Sequence, residues 1–123
     1  MKINEAISGF AVNDLEKARQ FYSDVIGLKV TSDDMVLQLH TPGGAIILVY
    51  PKANHEPATF TILNLIVDDI KATMMQLKEK GIVFDPYDDG QHKTDEDGIF
   101  RGAPSLIAWF KDPFGNILSV IQA

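Results

Sequence analysis

Residues 12–28, which read VNDLEKARQFYSDVIGL, carry the pattern that decides the fold. A strand-prone run ends at Asn13, whose side chain is expected to cap a helix, and Glu16 three residues later completes a capping box. Gly27 suits the left-handed position that ends a helix. Between them, apolar residues recur at helical spacing and predict one buried face, formed by Leu15, Ala18, Tyr22 and Val25.

The same pattern returns in residues 65–83, LIVDDIKATMMQLKEKGIV, with an offset of 55 residues between equivalent positions. Here Asp68 is the expected cap, and Gly81 follows the helical run. The expected buried face consists of Ile70, Met74 and Leu77. An internal repeat of this length indicates two equivalent structural units in one chain.

Three strand-like runs follow each helix. In the first half they are 28–31, 35–40 and 45–50, and in the second half 82–84, 105–110 and 117–121. The predicted fold is therefore α+β, with the order β-α-β-β-β occurring twice. Since one such unit leaves a sheet face uncovered, the copies have to pair or dimerise. We expect a single domain over 1–123, with module 1 at 1–50, a linker at 51–57 and module 2 at 58–123.

One segment breaks the symmetry between the copies. Residues 86–104 are polar and rich in glycine and acidic residues, whereas the first copy has only 32–34 at that place. Its glycines and mutually repelling carboxylates oppose packing, but Tyr87, Ile99 and Phe100 need an apolar surface. We expect a mobile lid over a ligand cavity that becomes ordered on binding, with a passive surface loop as the alternative.

Bulk composition limits the classes of function. Apolar residues make up 46% of the chain, charged residues 23%, and the net charge is −6. These values are typical of a globular protein, and the acidic charge disfavours nucleic acid. No apolar run is long enough for a membrane span, and the absence of cysteine excludes disulfides and thiolate metal sites. Residues 1–5 lack the apolar core of a secretory signal, so a cytoplasmic location without a membrane partner is expected.

Residues 12–28 resemble the opening motif of the glyoxalase I/bleomycin-resistance/extradiol-dioxygenase superfamily, also called vicinal oxygen chelate proteins. Residues 109–116, WFKDPFGN, resemble the family's closing Asp-Pro-x-Gly-Asn hairpin. The resemblance implies two βαβββ modules whose curved sheets wall a cavity. It also implies a homodimer that buries apolar surface and sheet edges. In the family's enzymes a divalent metal is held by one residue on the first strand and one on the last strand of each copy.

The resemblance assigns those four metal-ligand positions to Ile7, Leu48, Ile62 and Ser119. Three aliphatic side chains and one hydroxyl offer neither carboxylate nor imidazole, which transition metals require. We therefore expect no metal and no cofactor. This difference from the family's metal ligands argues against its metal-dependent activities, which are glyoxalase I isomerisation, extradiol ring cleavage and thiol transfer to epoxides. The metal-free members of the family, which sequester drugs, remain as the model for this chain.

Strand alternation predicts which side chains face the cavity. One face of the strand should carry Ile62, Asn64 and Ile66. The family resemblance implies that Trp109 points into the same cavity. Core packing of Trp109 and a structural hydrogen bond of Asn64 are the alternatives, and His40 and His55 are expected to be solvated or structural. The candidate ligand-binding residues are Ile7, Leu48, Ile62, Asn64, His92, Phe100, Trp109 and Ser119.

Three functions remain open because fold alone does not determine function. The leading hypothesis is metal-independent binding or sequestration of an aromatic or amphipathic small molecule, including cationic or antibiotic-like ones. The second is a lyase, isomerase or dioxygenase-type enzyme with a divergent metal site, built from His92 or the acidic residues of 86–104. The third is a non-catalytic assembly or regulatory module.

Overall fold

The computed structural model describes residues 1–33, 35–102 and 104–123. It divides into two compact units, Met1–Glu56 and Pro57–Ala123. Each of the two expected modules, 1–50 and 58–123, lies within one unit. The last strand of unit 1 extends to Pro51, one residue into the expected linker.

Unit 1 is a four-stranded mixed sheet with one helix. Strand β1 runs parallel to β4, and the other neighbours are antiparallel, giving the order β1-β4-β3-β2. The elements are β1 (Ser8–Val12), α1 (Leu15–Gln20), β2 (Lys29–Asp33), β3 (Val36–His40) and β4 (Ile46–Pro51).

Unit 2 repeats this topology with the strand order β5-β8-β7-β6, again with the first and last strands parallel. The elements are β5 (Thr61–Ile66), α2 (Ile70–Glu79), β6 (Phe84–Asp85), β7 (Leu106–Lys111) and β8 (Ile117–Gln122). The predicted α+β fold of two βαβββ modules is therefore confirmed.

Both helices begin one residue later than predicted. The side chain of Asp14, not Asn13, accepts the backbone N–H of Lys17 at 3.0 Å, and Asp69, not Asp68, accepts that of Ala72 at 3.1 Å. In this register a carboxylate occupies each cap, where it also interacts favourably with the positive end of the helix dipole.

The first helix ends in a wide turn, Phe21–Val25, in which the N–H of Ile26 donates to the carbonyl of Phe21 at 3.1 Å. This i→i−5 turn buries Phe21 as well as Tyr22, whereas Val25, expected on the buried face, stays partly exposed. A π-turn rotates the residues after it relative to a regular helix, which explains the difference. Gly27 then takes a φ of 85°, as predicted for the helix stop.

Each helix packs on one face of its own sheet. The opposite face, which we call the open face, carries the candidate ligand-binding residues of the strands. In unit 2 the helix side is completely buried at Ala108, Phe110, Leu118 and Val120. The residues between them in the strands, including Trp109 and Ser119, point to the opposite face. No helix in the described ranges is long and apolar enough to cross a membrane.

Candidate functional site

The open face of unit 2 brings three of the predicted residues into one row. Trp109 of β7 pairs with Ser119 of β8, and Ser119 pairs with Asn64 of β5. The Ser119 hydroxyl donates to Oδ1 of Asn64 at 2.6 Å. Ser119 is fully buried, whereas Asn64 is exposed.

A register shift in β5 adds a residue that the sequence analysis missed. The pairing of β5 with β8 jumps between Thr61 and Leu63, so Ile62 lies at a β-bulge. Thr61 accepts a hydrogen bond from Nε1 of Trp109 at 3.1 Å. Since a bulge interrupts the alternation of side chains, the expected sharing of one face by Ile62 and Asn64 cannot be read from strand alternation, and no glycine marks the irregularity.

Aromatic rings extend from Trp109 on both sides. The ring centroid of Tyr87 lies 4.9 Å from that of Trp109, and the ring of Phe100 lies 6.3 Å away. Phe100 in turn contacts His92 at 5.4 Å. We call Tyr87, Trp109, Phe100 and His92 the aromatic row. The structure thus brings together the predicted residues His92, Phe100 and Trp109, and adds Tyr87.

A cavity of about 410 Å³ opens beside Tyr87 and Trp109. Its volume is in the range of small-ligand pockets. Two charged side chains, Asp85 and Lys111, line it, and neither forms an ion pair or hydrogen bond with another described residue. The lining residues are Thr59, Phe60, Thr61, Asp85, Pro86, Tyr87, Trp109, Lys111 and Ile117.

The described part of the insertion, 86–102 and 104, makes more contacts with unit 2 than its composition led us to expect. Ile99 and Phe100 are buried, and Phe100 exchanges backbone hydrogen bonds with Ile107 of β7 at 2.7 and 3.2 Å. Asp95 accepts the N–H of Ile99 at 2.9 Å and pairs with Arg101. The Asp95 carboxylate therefore holds a backbone donor and an arginine. The lid motion of 86–104 stays a prediction, and residues 88–93 form the exposed tip of this segment.

The tip is organised by Asp89. Its carboxylate accepts the backbone N–H groups of His92 and Gln91 at 2.6 and 2.9 Å, and also bonds the His92 ring at 3.1 Å and the Tyr87 hydroxyl at 3.2 Å. These donors, led by the His92 amide, hold the pKa of Asp89 well below its usual range. The hydrogen bond to the Asp89 carboxylate raises the pKa of Tyr87. One carboxylate thus ties the tip to the aromatic row.

This arrangement predicts how the tip responds to pH. Because the folded-state pKa of Asp89 is depressed, its stabilisation is complete above the ordinary aspartate pKa of about 4 and is lost as the pH falls through the lower folded-state value. The backbone amide resonances of Gln91 and His92 should move together only well below about pH 4, where the folded protein takes up a proton on Asp89. Asp89→Asn should shift them at neutral pH, with Asp97→Asn as the control. Unchanged resonances in Asp89→Asn would contradict this role.

The four family metal positions do not form a donor set. Ile7 precedes β1 and is 47% exposed, and Leu48 pairs with Gly9. In unit 2, Ile62 lies at the bulge and the Ser119 hydroxyl is engaged by Asn64. Across the described ranges, no three His, Asp or Glu side chains are grouped to hold a metal ion. His92, considered as a ligand for a relocated site, instead bonds Asp89.

We predict that no transition metal binds stoichiometrically at these positions. After incubation with nickel or zinc and desalting, elemental analysis should give well below one ion per chain, because aliphatic side chains offer no lone pairs. Ser119→Ala is the matched control and should leave any trace metal content unchanged. A stoichiometric ion that disappears in Ser119→Ala would overturn the prediction.

Residues 3–120 match the model of the Glyoxalase/Bleomycin resistance protein/Dioxygenase superfamily. The chain belongs to this superfamily. A search of curated proteins finds no match.

Solved structures of the same fold cover nearly the whole chain. The antibiotic binding protein TnmS3 from Streptomyces sp. CB03234 has a TM-score of 0.66 at 25% identity, covering 99% of this chain and 98% of its own. The fosfomycin resistance protein FosX from Listeria monocytogenes has a TM-score of 0.72 at 12% identity, covering 100% and 95%. A superfamily member from Sphaerobacter thermophilus has a TM-score of 0.62 at 22% identity, covering 97% and 98%.

Proposed function

We propose that this protein is a cytoplasmic homodimer that binds or sequesters an aromatic or amphipathic small molecule without a metal. The observation that carries the proposal is the aromatic row beside a cavity of about 410 Å³ in unit 2. Planar side chains provide large contact areas at low conformational cost, and offset or tilted ring contacts add specificity. The absence of donors at the family metal positions supports binding over metal-assisted chemistry.

The polar groups of the row indicate how a ligand is oriented. The indole N–H of Trp109 is already engaged by Thr61, so Trp109 offers its ring surface. The Tyr87 ring is 42% exposed and stands 4.9 Å from Trp109. An aromatic ligand is therefore expected to contact the exposed ring of Tyr87 and the accessible part of Trp109.

The cavity has one charge of each sign, Asp85 and Lys111, and Asp85 gives it a contact point for a cationic group. Asp85 lines the cavity directly across the strand pair from Trp109, and the residue is partly buried. A carboxylate attracts a cation through Coulombic interaction, and neighbouring aromatic faces attract it through cation–π interaction. The net charge of −6 acts in the same direction. Similarity to an antibiotic binding protein at 25% identity over nearly the whole chain supports sequestration of antibiotic-like molecules.

Calorimetric titration with proflavine, a planar aromatic cation, tests the proposal. Acridine, which is uncharged in mildly alkaline buffer, is the matched compound and should bind more weakly. Tyr87→Ala should reduce proflavine affinity, whereas Met75→Ala, at a side chain 64% exposed on α2, should not. Absence of binding by proflavine and by a wider panel of aromatic amines, with no ligand carried through purification in native mass spectra, would count against the proposed function.

The homodimer is a separate prediction. Strands β1 and β5 lie at the edges of their sheets, and unpaired edges invite pairing with another chain. Ile66, at the end of β5, is 69% exposed, and Phe60, just before β5, is 68% exposed. Light scattering should give about twice the chain mass of 13.6 kDa. Ile66→Glu should lower this mass, while Met75→Glu serves as the control. A monomer at high micromolar concentration would contradict the prediction.

A further inference from the structure

The cavity beside Tyr87 and Trp109 has charges of opposite sign on two neighbouring strands. Asp85 of β6 pairs with Trp109, and Lys111 follows Trp109 by two residues on β7. Both charged residues line the cavity. Residues related diagonally in this way lie about 7–8 Å apart on the same face of a sheet. The two charges are therefore close enough to contact one small molecule.

The two charges do not neutralise each other. Neither Asp85 nor Lys111 makes an ion pair or a side-chain hydrogen bond with any residue that the structure describes. Asp85 is partly buried, and Lys111 is exposed. Opposite charges that line one cavity without pairing are both available to complementary groups of a ligand. Binding then does not first have to break an ion pair within the protein.

Thr61 adds a hydrogen-bond donor on the side of Lys111. Thr61, Ile117 and Lys111 form one row across β5, β8 and β7. Because the indole N–H of Trp109 can only donate, the Thr61 hydroxyl is the acceptor of their 3.1 Å hydrogen bond. The hydroxyl proton of Thr61 has no acceptor among the described residues. Since neighbouring strands lie about 4.8 Å apart, an anionic group over Ile117 is within reach of both Lys111 and Thr61.

The aromatic surface of the cavity adjoins both charges. Trp109 is the cross-strand partner of Asp85 and lies two residues before Lys111 on the same strand. The ring of Tyr87, centred 4.9 Å from that of Trp109, is 42% exposed. A planar ligand group that contacts these rings can therefore carry one substituent towards Asp85 and another towards Lys111.

On the basis of the function proposed above, we propose that the ligand of this cavity is an aromatic zwitterion. Its ammonium group binds Asp85, and its carboxylate binds Lys111 and the hydroxyl of Thr61. An aromatic α-amino acid has this pattern of charges. A simple cation pairs with Asp85 but is repelled by Lys111, whereas a zwitterion gives each charged side chain a partner of opposite sign.

L-Tryptophan, tryptamine and indole-3-propionate are matched probes, because they share the indole and differ in their charged groups. Tryptamine lacks the carboxylate, and indole-3-propionate lacks the ammonium group. Titrations can be followed by nitrogen-15 NMR at the indole N–H of Trp109, the only tryptophan in the chain. L-Tryptophan should bind about 5- to 12-fold more tightly than either analogue, between the effect of an exposed ion pair and that of a hydrogen bond to a charged group.

Two variants assign the charges of the ligand to their partners. Lys111→Met keeps the aliphatic part of the side chain, and it should remove most of the advantage of L-tryptophan over tryptamine without weakening tryptamine. Asp85→Asn should remove most of the advantage of L-tryptophan over indole-3-propionate without weakening indole-3-propionate. Lys71→Met, at an exposed lysine on α2, is the control and should change none of the three affinities.

Two results would overturn the zwitterion assignment: L-tryptophan binding no more tightly than tryptamine, or Lys111→Met weakening both compounds equally. If proflavine and tryptamine bind and L-tryptophan has no advantage, the cavity takes aromatic cations and only the zwitterion assignment fails. If proflavine and tryptamine do not bind either, it is the function proposed above that fails.

Discussion

Replacing Trp109 with alanine is expected to weaken proflavine binding at least about 30-fold, the effect of removing an aromatic residue at the centre of a binding surface. The indole contacts both Tyr87 and Phe100, with ring centroids 4.9 and 6.3 Å away. Its removal would separate the aromatic row into two parts and leave Thr61 without its donor. Calorimetry is the appropriate measurement, because this substitution also removes the only tryptophan.

Trp109→Phe is the matched control. It keeps an aromatic ring but loses the hydrogen bond to Thr61, so affinity should fall far less than in Trp109→Ala. Thr61→Val removes the same hydrogen bond from the other side and should resemble Trp109→Phe. If Trp109→Ala binds proflavine as tightly as the native chain does, while the far-ultraviolet circular dichroism is unchanged, the ligand site lies elsewhere.

The second large effect concerns stability and the turn between β7 and β8. Asp112 is 5% exposed and accepts the backbone N–H groups of Phe114 and Asn116 at 2.9 and 2.8 Å, and the Asn116 side-chain amide at 2.9 Å. Asp112→Ala would leave buried donors unpaired. Since hydrogen bonds to a charged group contribute about 1.5–3 kcal/mol each and are not additive, we expect a loss of roughly 3–5 kcal/mol in the free energy of unfolding.

Urea unfolding followed by circular dichroism measures this loss. Asp112→Asn keeps one acceptor oxygen and should lose less. Asp68 is exposed and its side chain accepts no hydrogen bond from a described residue, so Asp68→Ala should lose under about 0.5 kcal/mol. An Asp112→Ala midpoint equal to that of Asp68→Ala would show that the carboxylate does not stabilise the turn.

The fold was predictable because its signals are local. Two strand–helix–glycine patterns with matching spacing are enough to predict two βαβββ units, and Gly27 marks a helix end through its own backbone preference. The caps were placed one residue early because Asn13-Asp14 and Asp68-Asp69 each offer two adjacent capping side chains. Only the hydrogen-bond register of the folded helix distinguishes them.

The site was predictable only in part, because its contacts depend on register. Trp109, Asn64 and Ser119 meet as strand pairs, which the repeat and alternation indicate. Thr61 joins them because of the bulge in β5, and Tyr87 joins them because of the path of the insertion. Neither the bulge nor this path is indicated by the local sequence.

The bulge at Ile62 also bears on how duplicated modules diverge. Strand β1 pairs with β4 without interruption, whereas β5 contains one extra residue against β8. A single-residue insertion in a strand inverts the facing of every side chain on one side of it and leaves the other side untouched. The bulge lies near the start of β5. Gain or loss of one residue there would change which side chain faces the open side of unit 2 beside Thr61, while the residues after the bulge keep their places on the helix side. The ligand preference of one module would then change while the fold of both modules stayed the same.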